Sequence, residues 1–238
     1  MNILGIIPAR GGSKGVPRKN VLPILGKPVI TWTIEAALAA TRLTQVVVST
    51  DDSEIKSVAR RSGIRVIDRP AEYATDTIAI DPALRHAVGE IERDGERIDV
   101  AVWVQANVPT VHPDTIDKVV GSLLDNGGTS CQTVVPYRVP PQWAWRMVED
   151  RLIELEGVYS YTTRRQDLPT AFHPDGAVTA ILRDVLMGAA DKPPPAYLGN
   201  DRRGVVLSHT DSIEIDSPED LELCAWVLSR RRLARNQP

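Results

Sequence analysis

Cysteine is nearly absent from this chain. Cys131 and Cys224 are the two cysteines in 238 residues, they stand far apart, and neither has a CxxC partner. That excludes a disulfide framework and a cysteine-based zinc site, and it leaves two buried thiols in a reducing compartment as the expectation. No apolar run approaches the roughly 18 residues of a membrane span. The start of the sequence lacks the charged and long apolar regions of a secretion signal, so a cytoplasmic protein without membrane attachment is expected. A basic excess is missing too: 28 Lys and Arg face 31 Asp and Glu, for a formal net charge of −3. Nucleic-acid binders usually show a basic face, so no nucleic-acid partner is expected. Internal repeats are absent, and so are the GxxxxGK[ST] and GxGxxG phosphate motifs.

What is there belongs to an ordinary globular chain. Hydrophobic residues make up 42% and charged residues 25%, and the length suffices for one core across residues 1–238. Asn2 to Pro8 is a continuous apolar run, as a parallel strand covered on both faces requires. Helical patterns follow at 28–40, 53–61, 81–92, 113–125 and 218–232. Ser53 is the expected cap of the second and Gly127-Gly128 the stop of the fourth. Short β-branched runs at 45–49, 64–67, 100–104, 132–135, 177–182 and 204–207 alternate with them. This order predicts an α/β doubly wound, mostly parallel sheet with helices on both faces. Its active crevice lies outside the carboxyl ends of the strands. Between 139 and 172 the periodicity fails among prolines, tryptophans and charged turns, which predicts an inserted flap, β-excursion or dimer arm. Trp143 and Trp145 alternate there at strand spacing, as for burial at a flap or subunit contact.

The strongest chemical signal is Pro8-Ala-Arg-Gly-Gly-Ser-Lys-Gly-Val-Pro-Arg-Lys-Asn20, which leaves a buried strand and enters a helical segment. Glycines let backbone N–H groups approach an anion without a Cβ in the way. Arg10, Lys14, Arg18 and Lys19 surround them, and so many clustered cations suit a polyphosphate better than a structural loop. Glu214 and Asp216 are a second signal. At a spacing of two on a strand they share one side and can hold one divalent ion, Mg²⁺ or Mn²⁺. A bland reading makes Asp216 the cap of the last helix. Asp51 and Asp52 stay open between a metal or ribose site and helix capping.

The loop resembles the signature of the CMP–acidic sugar synthetases, the N-acylneuraminate cytidylyltransferases and their relatives, and the likeness runs over most of the chain. Arg69-Pro-Ala-Glu-Tyr-Ala-Thr-Asp76 resembles the family's RPxELAxD element, Gln105 the opening of QPTSPLR, Arg165-Gln-Asp-Leu-Pro169 with Pro174-Asp-Gly-Ala177 its RQxLP…PNGA stretch, and Ile213-Glu-Ile-Asp216 its IDID element. The resemblance implies transfer of CMP from CTP to a small acidic acceptor with release of pyrophosphate. It casts Arg10, Lys19 and Asp216 as catalytic, and Arg10, Gly11, Gly12, Ser13, Lys14, Asn20, Arg69 and Asp76 as nucleotide-binding. Gln105, Arg165 and His173 become acceptor-binding, Glu214 and Asp216 metal-binding, and a homodimer is implied. Departures concentrate in the acceptor half: Ala-Asn-Val-Pro109-Thr-Val-His112 replaces PTSPLR, His173 stands for an arginine, Asp175 for an asparagine, Thr179 for a tyrosine and Glu214 for an aspartate. Val111 then marks a lost cation, and His112 and His173 become candidate substrate contacts. Three readings follow: a nonulosonic acid as acceptor, another acid such as Kdo or a small phosphonate, or a nucleotide-binding homologue without turnover.

Overall fold

The computed structural model describes residues 1–13, 15–155, 157, 162 and 164–235. Strand β1 (Ile3–Pro8) leads through a long loop to a two-stranded hairpin of β2 (Pro23–Ile24) and β3 (Lys27–Pro28), then to α1 (Val29–Ala39). β4 (Gln45–Thr50), α2 (Ser53–Arg61), β5 (Arg65–Asp68), α3 (Asp81–Arg93), β6 (Val100–Val104) and α4 (Pro113–Asn126) follow. The second half holds β7 (Ser130–Pro136), β8 (Trp145–Val148), β9 (Arg151–Glu154), β10 (Phe172–Leu182), α5 (Arg183–Met187), β11 (Arg202–Val206) and α6 (Pro218–Arg235).

Seven strands form one sheet in the order β11-β7-β10-β6-β1-β4-β5. β1 pairs in parallel with β4 and β6, β4 with β5, and β7 with β11. β10 alone runs antiparallel, between β6 and β7. The mostly parallel, doubly wound reading holds. All six residues of β1 are buried because the sheet is covered on both faces. Ile3 and Ile7 meet Ile30 and Ile34 of α1, with Ile55 of α2 and Ile116 of α4 in the same cluster. Leu4 and Ile6 instead meet Leu84 and Ile91 of α3 and Leu186 of α5.

A smaller apolar cluster does the most for the site. Val16 of the loop, Ile24 and Val29 pack with Ile213, Ile215, Val227 and Leu228. Burial of these side chains, worth about 1.5–3 kcal/mol for each large one, fastens the loop after β1 to the segment before α6. Both thiols are buried, and burial pushes the Cys224 thiol up to about 12. Among the described residues no helix is long and apolar enough to cross a membrane.

Local details differ from expectation. Asp52, not Ser53, caps α2: its Oδ1 accepts from the Glu54 and Ile55 N–H groups, at 2.9 Å each. β10 starts five residues earlier than the apolar pattern suggested, because Phe172 to Pro174 pair with β7 along the backbone while their ring side chains break the aliphatic run. The irregular region resolves into a β-excursion, an antiparallel hairpin of β8 and β9 with Met147 opposite Leu152. Trp143 donates its indole N–H to the Thr162 carbonyl at 2.7 Å, while Trp145 is exposed.

Candidate active site

Parallel order puts the carboxyl ends of β1, β4, β6 and β7 along one edge, and antiparallel β10 brings its first residues to that edge. The loop after β1 is held there by close backbone contacts. A Cβ on Gly11 would lie 2.7 Å from Asp52 Oδ2, and one on Gly15 would run into the carbonyl oxygen of Asp216. Only glycine permits that second approach, so the loop and the acidic segment touch through main chain. Gly11 N donates to Asp51 Oδ1 at 3.1 Å, and Ser13 N to the Gly11 carbonyl at 3.1 Å. Asp51 thus holds the loop, and Asp52 is the cap of α2. Gly12 is exposed and Ser13 half-buried. Lys14 lies outside the described residues.

Arg10, Arg18 and Lys19, the described cations of the loop, have carboxylate partners from elsewhere in the chain. Lys19 Nζ stands 2.7 Å from Asp216 Oδ1 and donates to the Ile215 carbonyl at 2.9 Å. Arg10 contacts Asp76 Oδ1 at 2.9 Å and donates to the Thr75 carbonyl at 2.7 Å. Arg18 reaches out to Glu54 on α2, at 2.5 Å. Asn20 is buried; its amide donates to the Arg10 carbonyl at 3.4 Å, while its Oδ1 has no hydrogen-bond partner. Arg69 is buried behind them and donates to the Ser49 hydroxyl at 3.2 Å and carbonyl at 2.7 Å. Burial lowers its guanidinium to about 10, with nearby Arg10 pushing the same way and Asp51 opposing. It stays charged at neutral pH.

The acids before α6 sit on an extended stretch that is not a strand, yet the alternation survives. Ile213 and Ile215 are buried, while Glu214 is half-buried and Asp216 exposed. Thr110 Oγ1 accepts from Ile213 N, and the Asn107 carbonyl from Ile215 N, both at 3.0 Å. Asp216 does not cap α6. That task falls to Ser217 and Asp220, where Asp220 Oδ2 accepts from Ser217 N at 2.9 Å and Ser217 Oγ accepts from Asp220 N at 3.3 Å. Glu214 Oε1 accepts from Gln105 Nε2 at 3.1 Å and from Asn107 Nδ2 at 3.3 Å. Gln105, whose Oε1 also accepts from the Trp103 indole at 2.9 Å, is thus tied to the acidic segment. Among the described residues no three His, Cys, Asp or Glu side chains converge as a metal site. The donor chemistry still fits Mg²⁺, which takes one or two carboxylates and completes its shell with phosphate oxygens and water.

Arg165 and His173 come together through Tyr137. The His173 ring centroid is 4.7 Å from that of Tyr137, whose carbonyl accepts from Arg165 at 3.5 Å. Val111 and His112 do not join them. Val111 is buried, and both line a cavity of about 620 Å³ with Trp32 of α1 and Leu228 of α6. The position assigned to a missing arginine is therefore core wall. Sequence reasoning missed Asn107, Thr110 and Tyr137. Asn107, an amide in an apolar stretch just past a buried strand, carried a legible signal, since a buried amide must find partners.

Residues 4–152 match the sequence profile of a family described as Cytidylyltransferase. The pseudaminic acid cytidylyltransferase of Campylobacter jejuni is 31% identical over 178 residues, covering 74% of this chain and 77% of that protein. The CMP-N,N'-diacetyllegionaminic acid synthase of Legionella pneumophila is 29% identical over 241 residues, covering 100% of this chain and 98% of the other. Among solved structures, a CMP:2-keto-3-deoxy-manno-octonic acid synthetase complexed with CTP superposes with a TM-score of 0.75 at 20% identity, covering 97% of this chain and 100% of that one. At that identity the likeness concerns the fold.

Proposed function

Because the chain belongs to the cytidylyltransferase family, and within it to the CMP–acidic sugar synthetases, we propose that it transfers CMP from CTP to a nonulosonic acid and releases pyrophosphate. The observation that carries this reading is the Lys19–Asp216 pair at 2.7 Å, which joins a glycine-rich cationic loop to an acidic segment. In the reaction an acceptor hydroxyl oxygen attacks the α-phosphorus of CTP. The bond from that phosphorus to the β-bridging oxygen breaks, pyrophosphate leaves, and the hydroxyl proton passes to solvent. Arg10 and Lys19 bind the phosphates and stabilise charge that grows as the bond breaks. Gly11, Gly12 and Ser13 let the loop backbone come close to the phosphates, and Asn20 supports the nucleotide side of the loop. Arg69 and Asp76 flank the nucleoside. Arg165 and His173 orient the anionic end of the acceptor, which Gln105 borders.

Glu214 and Asp216 would hold a divalent cation, Mg²⁺ or Mn²⁺, which when bound neutralises phosphate charge. The protein would act in the cytoplasm as a homodimer. In favour of the dimer, the β8–β9 hairpin exposes Trp145, Met147, Val148, Leu152 and Ile153. A lone two-stranded hairpin is marginal in water, and an apolar patch of this kind marks an interaction surface. The functional test is pyrophosphate release that requires both CTP and an acid, with UTP, ATP and GTP as controls. Release without an acid, or equal use of all four nucleotides, overturns the assignment.

A further inference from the structure

Trp103 lies on β6 and Gln105 follows the strand directly. The Gln105 N–H still donates to the Ala177 carbonyl of β10 at 2.9 Å, so the extended alternation carries on and the two side chains share a face. The Trp103 indole N–H donates to Gln105 Oε1 at 2.9 Å, and Gln105 Nε2 donates to Glu214 Oε1 at 3.1 Å. Asn107 Nδ2 reaches the same Glu214 oxygen at 3.3 Å and the Ile215 carbonyl at 3.0 Å. Both amides land on Oε1, and among the described residues none donates to Glu214 Oε2. That second oxygen is left for a ligand.

Chemistry fixes the direction of this relay. An indole N–H only donates and a carboxylate only accepts. The Gln105 amide must therefore turn its oxygen to Trp103 and its nitrogen to Glu214. The flipped amide would set N–H against N–H and oxygen against oxygen. Packing alone does not ask for the indole. Trp103 is half-buried in an otherwise apolar strand, against the cluster of Leu84, Ile181 and Leu186, and a phenyl ring would fill that place. What the N–H adds is the selection of one amide orientation out of two.

We propose that Trp103 is a positioning residue that acts through Gln105: its indole fixes the Gln105 amide, and the amide holds Glu214 by Oε1 so that Oε2 is presented to the divalent cation. This rests on the cytidylyltransferase reading and on Glu214 and Asp216 as the cation's carboxylates. Outer partners of this kind orient a ligating carboxylate, and their loss weakens metal binding without removing any ligand. The effect of Trp103 on the cation should therefore vanish once the Gln105 amide is gone.

The test uses the full chain without any acid, so that no turnover occurs, and compares two ligands. Affinity for Mn²⁺–CTP is read from water-proton relaxation, and affinity for CTP in excess chelator from calorimetry. Trp103→Phe keeps the ring and loses the donor; Gln105→Leu loses the amide and leaves the indole packed. Each should weaken Mn²⁺–CTP about 3–10-fold, the range of one hydrogen bond, and leave metal-free CTP within two-fold of wild type. The double variant should match Gln105→Leu alone, as coupled residues do in a double-mutant cycle. The proposal is overturned if either single variant binds Mn²⁺–CTP like wild type, if both ligands weaken equally, or if the two losses multiply in the double variant. A wild type that gains no affinity for CTP from Mn²⁺ overturns the metal role of Glu214 and this proposal together. A wild type that binds CTP in neither form overturns the cytidylyltransferase reading itself.

Discussion

Lys19 and Asp216, 197 positions apart in sequence, meet at 2.7 Å, and the same ammonium also donates to the Ile215 carbonyl at 2.9 Å. The contact closes the loop after β1 onto the segment before α6. The packing of Val16 against Ile213 and Ile215 makes that closure a property of the fold. The lysine side chain is largely shielded and the aspartate largely open, at 18% and 66% exposure. The cation is thus preorganised, with its counter-charge on the side a ligand reaches.

Lys19→Ala should therefore remove a preorganised charge while leaving the core intact. The expected loss in kcat is about 10²–10³-fold, the range for removing one such stabilising group. Steady-state pyrophosphate release, with circular dichroism as the check on folding, decides it. Turnover within a few-fold of wild type would mean that the lysine serves the loop's structure alone.

For the acidic segment, Asp216→Asn should lose most activity together with its dependence on divalent ions, and excess chelator should silence the wild type. Glu214→Gln should be milder, since its Oε1 already serves the Gln105 and Asn107 amides. Titration of activity with Mg²⁺ for all three proteins checks this. An Asp216→Asn protein with an unchanged Mg²⁺ curve would show that the aspartate only partners Lys19.

The strand carboxyl ends were legible in the sequence because buried parallel strands read as uninterrupted apolar runs, as in Ile3–Pro8 and Val100–Val104. That placed Arg10, Asp51 and Gln105 on one edge. The alternation Ile213-Glu214-Ile215-Asp216 was legible too, although the stretch is not a strand; buried isoleucines impose the same period on any extended chain. The partners of these residues were not legible. Nothing in the spacing says that Gln105 and Asn107 hold Glu214, or that Val111 is core wall, because such contacts depend on how the 105–113 segment folds back on α6. The excursion was opaque for a related reason. The exposed apolar residues of β8 and β9 face away from this chain's own core, so they follow no inward-facing pattern.

If a second copy covers that hairpin, charge placed on it should dissociate the protein. Met147 and Leu152 are opposed across the hairpin and 68% and 59% exposed. The double variant Met147→Glu, Leu152→Glu should sediment as a monomer under conditions where wild type sediments as a dimer. Identical sedimentation of the two would remove the hairpin from the interface.

Asp117 gives a prediction about pH. Burial opposes its ionisation, but the Thr41 N–H, Arg42 N–H and Thr41 hydroxyl at 2.8–3.0 Å outweigh it and hold the carboxyl below its ordinary value. A pKa depressed in the folded state contributes stability that is complete above the unfolded value near 3.9, and that stability is lost as pH falls through the folded value. Asp117→Asn should thus cost about 1–2 kcal/mol at pH 7, with the gap to wild type closing in acid. Urea melts at pH 7 and near pH 3 measure it, and an equal gap at both would contradict the account.

The central claim is that this fold joins the α-phosphorus of CTP to an acid. Incubating the protein with CTP labelled at the α-phosphate, Mg²⁺ and a set of nonulosonic acids, then identifying products by mass spectrometry, tests it most directly. The account predicts a CMP–acid conjugate carrying the label, with one unlabelled pyrophosphate released per conjugate and conjugate formed about 10²–10³-fold more slowly by the Lys19→Ala protein. Labelled CTP recovered intact with every acid, or label found only in free CMP, would contradict it.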